Sequence, residues 1–286
     1  MNSFKVIECP RDAMQGLHGF IPTADKIRYL NALLRVGFDT LDFGSFVSPR
    51  AIPQMRDTAE VLAGLDLSQT VTQLLAIVAN VRGAEQAVTY PQIQYLGFPL
   101  SVSETFQLRN TNKTIEQAFA ELQAIQNLCV ASRKKLVVYL SMGFGNPYGD
   151  PYSPALIGQF TERLIKLGVT IIAPSDTVGS STPDGIETLF GHLLEAFPSV
   201  EFGAHLHSRP DQVVDKVQAA LRAGVRRIDG ALLGLGGCPM AADDLTGNLP
   251  TEQVVDLLER AGVSLTIDQT RLAEALVLSA EILGSH

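Results

Sequence analysis

Cysteine is scarce in this chain of 286 residues: Cys9, Cys129 and Cys238 are the only three. Their irregular spacing gives neither a disulfide framework nor a Cys-x-x-Cys zinc clip, which fits a reducing compartment. Long apolar runs are missing too, so no membrane-spanning helix is predicted. The opening Met-Asn-Ser-Phe-Lys-Val-Ile-Glu enters a strand pattern at once, which leaves no stretch for a signal or transit peptide and makes the cytoplasm the expected location. Positive charge is in deficit, with 22 basic against 30 acidic side chains, a formal charge of −8 and no basic stripe. Nucleic acid is therefore not an expected partner. An anionic small molecule remains compatible, because local arginines or a bound cation would attract it whatever the global field. Also absent is the Gly-x-Gly-x-x-Gly of dinucleotide-binding folds: the residues after the first strand are Cys9-Pro10-Arg11-Asp12.

What is present is a repeated alternation of short apolar strands and amphipathic helices. At 46 % hydrophobic and 18 % charged, the chain is too apolar for disorder and long enough for a full core. Strand patterns fall at Phe4–Glu8, Phe38–Phe43, Val71–Val78, Gln92–Gly97, Lys135–Ser141, Thr170–Pro174, Glu201–His205 and Arg226–Gly230. Helical spacing falls at Thr23–Val36, Pro53–Leu65, Val81–Val88, Ile115–Ser132, Pro154–Leu167, Pro183–Phe197 and Asp211–Ala223. Ser101–Asn112 reads as a long polar loop. Eight strands separated by helices predict a (β/α)8 TIM barrel, a single domain over residues 1–286. Extra helices at Thr251–Ala261 and Asp268–Leu283 follow, and the segment from about residue 231 onward is expected to complete the active-site face.

In a barrel the active site lies at the C-terminal ends of the strands. The predicted strands deliver Arg11 and Asp12, Asp42, Ser141, Asp176 and Thr177, then His205 and His207, with Cys238 and Asn248 beyond the last strand. His205 and His207 are two apart in a strand, on one face and about 6–7 Å along it from each other, a spacing at which two imidazoles can share a metal. Each residue alone has an ordinary reading: a solvated histidine, a surface ion pair, a loop cap, a buried free thiol. Their collection at one end of a barrel favours a site. Two imidazoles with a carboxylate and an amide oxygen form no thiolate zinc site, and the oxygen share favours Mg2+ or Mn2+.

These residues also fall in motifs: Pro10-Arg11-Asp12 with Gln15, Ser45-Phe46-Val47-Ser48-Pro49 followed by Pro53-Gln54-Met55, Ser103-Glu104 with Phe106, Asp176-Thr177-x-Gly179, His205-x-His207, Gly234-Leu-Gly-Gly-Cys238-Pro239 and Gly247-Asn248-Leu249. In this order they resemble the hydroxymethylglutaryl-CoA lyase family, within a wider group of barrel lyases and Claisen-condensing enzymes. The resemblance implies metal-dependent retro-Claisen cleavage of a 3-hydroxy-3-methylglutaryl thioester, or a similar 3-hydroxyacyl-CoA, into acetyl-CoA and acetoacetate. It implies Asp12, His205, His207 and Asn248 as metal ligands, Arg11 at the enolate oxygen and Cys238 as proton donor to the acetyl carbanion. Asp42, Asp176 and His205 are implied as further catalytic groups, and a homodimer as the assembly. Where family members have an acidic residue, this chain has Ile7, with Glu8 one position later on the opposite strand face. Asp42 replaces a glutamate, Gly16-Leu17-His18 replaces Asn-Glu-Lys, Asn146 replaces a cysteine, and Ser208-Arg209-Pro210-Asp211 replaces Asp-Thr-Tyr-Gly. A condensing enzyme or aldolase of the same group acting on a keto acid, and a non-catalytic barrel scaffold, are the alternatives. Cys238 favours the lyase, since a condensing enzyme has no acetyl carbanion to protonate.

Overall fold

The computed structural model describes residues 4–237 and 246–284. In chain order its elements are β1 (Lys5–Glu8), α1 (Pro10–Gln15), α2 (Thr23–Leu33), β2 (Thr40–Ser45), α3 (Thr58–Ala63), β3 (Gln73–Ile77), α4 (Val81–Val88), β4 (Ile93–Ser101), α5 (Glu104–Thr111) and α6 (Ile115–Ala131). There follow β5 (Lys135–Ser141), α7 (Pro154–Lys166), β6 (Ile171–Asp176), α8 (Pro183–Ala196), β7 (Glu201–Phe202), β8 (Ala204–Leu206), α9 (Val213–Ala223), β9 (Arg227–Gly230), α10 (Thr251–Arg260) and α11 (Gln269–Leu283). All strand pairings are parallel, in the order β5-β4-β3-β2-β1-β9-β8-β6-β7, and a further β5–β6 pairing closes the sheet on itself. β7 and β8 both pair with β6 and are two halves of one barrel strand broken at Gly203. The result is the closed eight-stranded (β/α)8 barrel that the strand count predicted.

Period-two alternation sorts each strand's side chains into two cores. Leu75, Ile77, Val137, Tyr139, Ile171 and Ala173 meet inside the barrel. Their neighbours Leu74, Ala76, Val138, Leu140 and Ile172 point outward into the larger core beneath the helices. On β9 the inward positions hold Arg227 and Asp229, both buried, while Ile228 joins the outer core. At the N-terminal end of the barrel Glu201 takes Lys5 Nζ at 2.7 Å and Arg227 Nη1 at 3.2 Å, so the charge there is paired.

Three segments differ from the sequence-based expectation. Ser101–Asn112 is not a loop: Ser103 caps a helix, accepting from the Phe106 amide at 3.1 Å, and α5 follows. Its apolar stripe is too weak to give a helical period, since Phe106 and Gln107 alone are buried on it. The segment after β1 is likewise helical, with Pro10 at the first helical position of α1, where its missing N–H costs nothing. Pro53–Leu65 divides into a 3-10 turn at Pro53–Met55 and α3.

Candidate active site and metal centre

The C-terminal ends of the strands surround a cavity of about 460 Å3. Arg11, Asp12, Gln15, His205 and His207 line one side of it, and Val47, Ile52, Ile77 and Phe106 supply apolar wall. Arg11, Asp12 and Gln15 share α1, and the helical offset of three and four residues puts Gln15 beside both. Gln15 Nε2 donates to Asp12 Oδ1 at 2.6 Å, and Arg11 Nη1 donates to Gln15 Oε1 at 2.8 Å and to Asp12 Oδ1 at 3.0 Å. The other edge of the guanidinium is held from β2, where Nε and Nη2 donate to Asp42 Oδ2 at 3.0 and 2.6 Å. Burial opposes the charge on Arg11, but Asp42 and Asp12 outweigh it and raise its pKa. The pKa of Asp42 is pushed up to about 6 because burial outweighs its guanidinium partner. Burial acts the same way on Asp12, but there Arg11, the two imidazoles and the Asn248 amide prevail and hold the pKa down at about 2.

His205 and His207 stand on one face of the chain, their ring centroids 5.3 Å apart. His207 Nδ1 lies 3.1 Å from the Thr177 carbonyl and His205 Nδ1 lies 3.2 Å from Asp229 Oδ2. Each acceptor fixes the proton on Nδ1 and leaves Nε2 with a free lone pair. Burial, then the neighbouring His205, lowers the His207 pKa to about 4, so this imidazole is neutral at neutral pH. For His205 burial works against the charge, and Asp229 more than offsets it, raising the pKa. Asn248 is brought to the group by backbone pairing with His207, and its Nδ2 donates to Asp12 Oδ2 at 2.7 Å and to the Leu235 carbonyl at 2.9 Å, which leaves the amide oxygen as its ligand atom. Gly236, at φ +90°, runs so close that a Cβ there would lie 2.7 Å from the Asp12 carbonyl and 2.8 Å from Asn248 Nδ2.

Whether these residues suit a cation is answered by their own unsatisfied groups. Asp12, His205 and His207 offer three ligand atoms within 4.8 Å of one another. His207 Nε2 is buried without a hydrogen-bond partner, a costly state for a neutral imidazole acceptor unless a cation takes the lone pair. The donor set fits a divalent metal.

The remaining sequence-predicted groups lie elsewhere. Asp42 stands behind Arg11 and does not line the cavity. Asp176 does not line it either: Ser175 and Thr177 face the cavity, so the residue between them points outward. Its carboxylate takes Lys216 Nζ at 2.8 Å and the Ser181 hydroxyl at 2.5 Å. Lys216 also donates to the carbonyls of His207 and Gly179 at 2.8 and 3.1 Å, tying the loops after β6 and β8 together. Cys238 lies outside the described residues. Sequence reasoning missed Asp229, Lys216 and the α5 residues Asn110 and Thr111, which line the cavity beside the motif residue Phe106. A signal did exist for Asp229: a strand of a parallel barrel is covered on both faces, so a carboxylate within it is buried and calls for a polar partner.

A sequence profile of the HMGL-like family matches residues 6–278. A hydroxymethylglutaryl-CoA lyase of Bacillus subtilis is 32 % identical over 275 residues, 96 % of this chain and 91 % of that protein. The human mitochondrial hydroxymethylglutaryl-CoA lyase is 31 % identical over 272 residues, 95 % of this chain and 83 % of that protein. Among solved structures, an HMG-CoA lyase from Acinetobacter baumannii in complex with coenzyme A and 3-methylmalate superposes with a TM-score of 0.91 at 32 % identity, covering 99 % of this chain and 92 % of that one. The chain belongs to the HMGL-like family.

Proposed function

We propose that this protein is a divalent-metal-dependent carbon–carbon lyase that cleaves 3-hydroxy-3-methylglutaryl-CoA to acetyl-CoA and acetoacetate. The observation that carries this is the meeting of Arg11, Asp12, His205 and His207 in one cavity at the barrel mouth, from segments nearly two hundred residues apart in sequence. The sequence relatives act in support.

The reaction removes the proton of the C3 hydroxyl, breaks the C2–C3 bond with its electrons passing into the thioester fragment, and protonates C2. Asp12, His205, His207 and Asn248 would hold the cation, and their oxygen and imidazole donors suit Mg2+ or Mn2+. When bound, it supplies Lewis-acid polarisation of the substrate's oxygens. Arg11 presents its guanidinium to the thioester oxygen, where negative charge develops as the bond breaks. Asp42 acts through Arg11: two hydrogen bonds from one edge of the guanidinium fix its plane. The apolar wall of Val47, Ile52 and Phe106 keeps water from the carbanion. Cys238 is the proposed donor of the proton that C2 receives. Asp176 is a positioning residue that acts through Lys216 on the His207 backbone.

Purified protein incubated with hydroxymethylglutaryl-CoA and Mg2+ or Mn2+ under reducing conditions should release acetoacetate and acetyl-CoA in equal amounts. No product with either metal rejects the reading, and a Cys238→Ala variant as active as the parent removes the thiol from the mechanism. Sedimentation of the same preparation tests the homodimer that the family implies.

A further inference from the structure

Three side chains of α5 reach the catalytic cavity: Phe106, Asn110 and Thr111. Phe106 and Asn110 are four residues apart and share a helix face. α5 follows β4, and in the closed strand order β4 lies directly across the ring from β9. The neighbours of β9 are β1, which leads into Asp12, and β8, which carries His205. α5 is therefore the wall opposite the metal centre, and a substrate held by that centre lies between the two.

Apolar burial does little to seat this wall, because Phe106 and Gln107 alone are buried on α5. Polar contacts with the connection after β5 do more. Asp150 accepts from the Thr105 amide at 2.9 Å and from the Thr105 hydroxyl at 3.1 Å. It also takes the hydroxyl of Ser103, whose oxygen caps the helix at the Phe106 amide. One carboxylate thus fixes the first turn of α5, at the helix end where negative charge is favoured. Asp150 is itself held by Asn146, which stands where family members have a cysteine. The Asn146 side chain accepts from the amides of Tyr148 and Asp150 at 3.0 and 3.1 Å and donates to the Asp150 carbonyl at 2.9 Å. A thiol, a weak donor and a weak acceptor, cannot replace these three bonds. The same turn carries Tyr148, which stacks with Phe106 at a centroid separation of 6.4 Å and lies 4.7 Å from the Arg109 guanidinium. The turn therefore grips α5 both at its start and along its side.

We propose that Asp150, built into its turn by Asn146, is a positioning residue for substrate binding: it seats α5 so that Phe106, Asn110 and Thr111 meet the acyl-CoA on the side away from the metal centre. This rests on the lyase reading above. It assigns Asp150 to substrate affinity, while metal affinity and bond cleavage stay with Arg11 and the metal centre.

Asp150 is half-buried and does not line the cavity, so its replacement spares the barrel core, and thermal melts check that the fold is kept. The parent is compared with Asp150→Ala, Asp150→Asn, Asn146→Ala and the Asn146→Ala/Asp150→Ala double variant. Three quantities are read: steady-state cleavage of hydroxymethylglutaryl-CoA by the Mg2+-loaded protein, Mn2+ affinity, and amide hydrogen exchange over residues 103–111 without substrate. Asp150→Ala should raise KM about tenfold, keep kcat within about threefold and Mn2+ affinity at the parent's value, and speed exchange at the start of α5. Asp150→Asn, which keeps one acceptor oxygen, should recover part of the KM. The double variant should be no worse than Asp150→Ala, because both substitutions act through one carboxylate. Faster exchange with the parent's KM would make Asp150 a helix cap only and overturn its role in binding. A fall in kcat or Mn2+ affinity as large as the rise in KM overturns it too, since the whole barrel mouth would then have loosened. Additive losses in the double variant overturn the part assigned to Asn146. A parent that cleaves nothing, while Asp150→Ala still speeds exchange in α5, overturns the lyase reading and the substrate role with it, and leaves only the contact between Asp150 and α5.

Discussion

The imidazole of His205 and the carboxylate of Asp229 face each other inside the barrel, Nδ1 to Oδ2 at 3.2 Å, on neighbouring strands whose register sets the two residues side by side. The carboxylate fixes the tautomer and turns Nε2 toward Asp12 and His207. Asp229→Asn preserves the shape and removes the charge. Its affinity for Mn2+, read by the electron-spin resonance of the free ion, should fall about 10- to 100-fold. Unchanged affinity would leave Asp229 as barrel packing only.

Arg11 makes a different kind of demand, because it is held from two sides. Asp42 takes Nε and Nη2, and Nη1 goes to Asp12 and Gln15. A lysine has one point of charge and cannot keep both edges. Arg11→Lys should lower kcat about 100-fold or more with a smaller effect on KM, the pattern of a contact made mainly in the transition state. Steady-state release of acetoacetate checks it, and a kcat near the parent's would remove Arg11 from the enolate oxygen.

The difference between His205 and Asp229 shows what a sequence discloses. The strand Lys135–Ser141 is legible to the residue because its apolar side chains serve both cores. His205-x-His207 is legible because period two alone places both rings on one face. α5 is not, since its helix is set by the Ser103 cap and by Asp150, which accepts from the Ser103 and Thr105 hydroxyls, rather than by an apolar stripe. Asp229, Lys216 and the outward turn of Asp176 become visible only once the sheet closes. Their partners lie 24 to 40 residues away, and the choice between inside and outside is made by strand register.

Lys216 and Asp176 are both buried, and three acceptors satisfy the ammonium group. Removing one partner of such a pair strands the other charge in a dry environment. Lys216→Met should therefore destabilise the protein by about 3–5 kcal/mol in urea unfolding, and the Lys216→Met/Asp176→Leu double variant by clearly less than the sum of the singles. Additive losses would mean that the pair is not coupled.

Glu8 gives the pH dependence. Its strand position turns it away from the barrel interior to the C-terminal segment, where its carboxyl accepts from the Leu232 amide at 3.0 Å and from the Thr251 hydroxyl. Burial, against these two hydrogen bonds, pushes its pKa from 4.5 up to about 8. The folded chain thus keeps a proton that the unfolded chain releases. The stability Glu8 contributes is complete below about pH 4.5 and is lost as pH rises through about 8, by roughly 1.4 kcal/mol per pH unit at most within that window. Glu8→Gln imitates the protonated side chain, its oxygen accepting from Leu232 and its amide donating to Thr251. The parent should match or exceed this variant near pH 5 and fall progressively below it toward pH 8 in urea unfolding. Parallel profiles for the two proteins would mean that Glu8 is ionised in the folded state, with its charge stabilised by the Leu232 and Thr251 bonds alone.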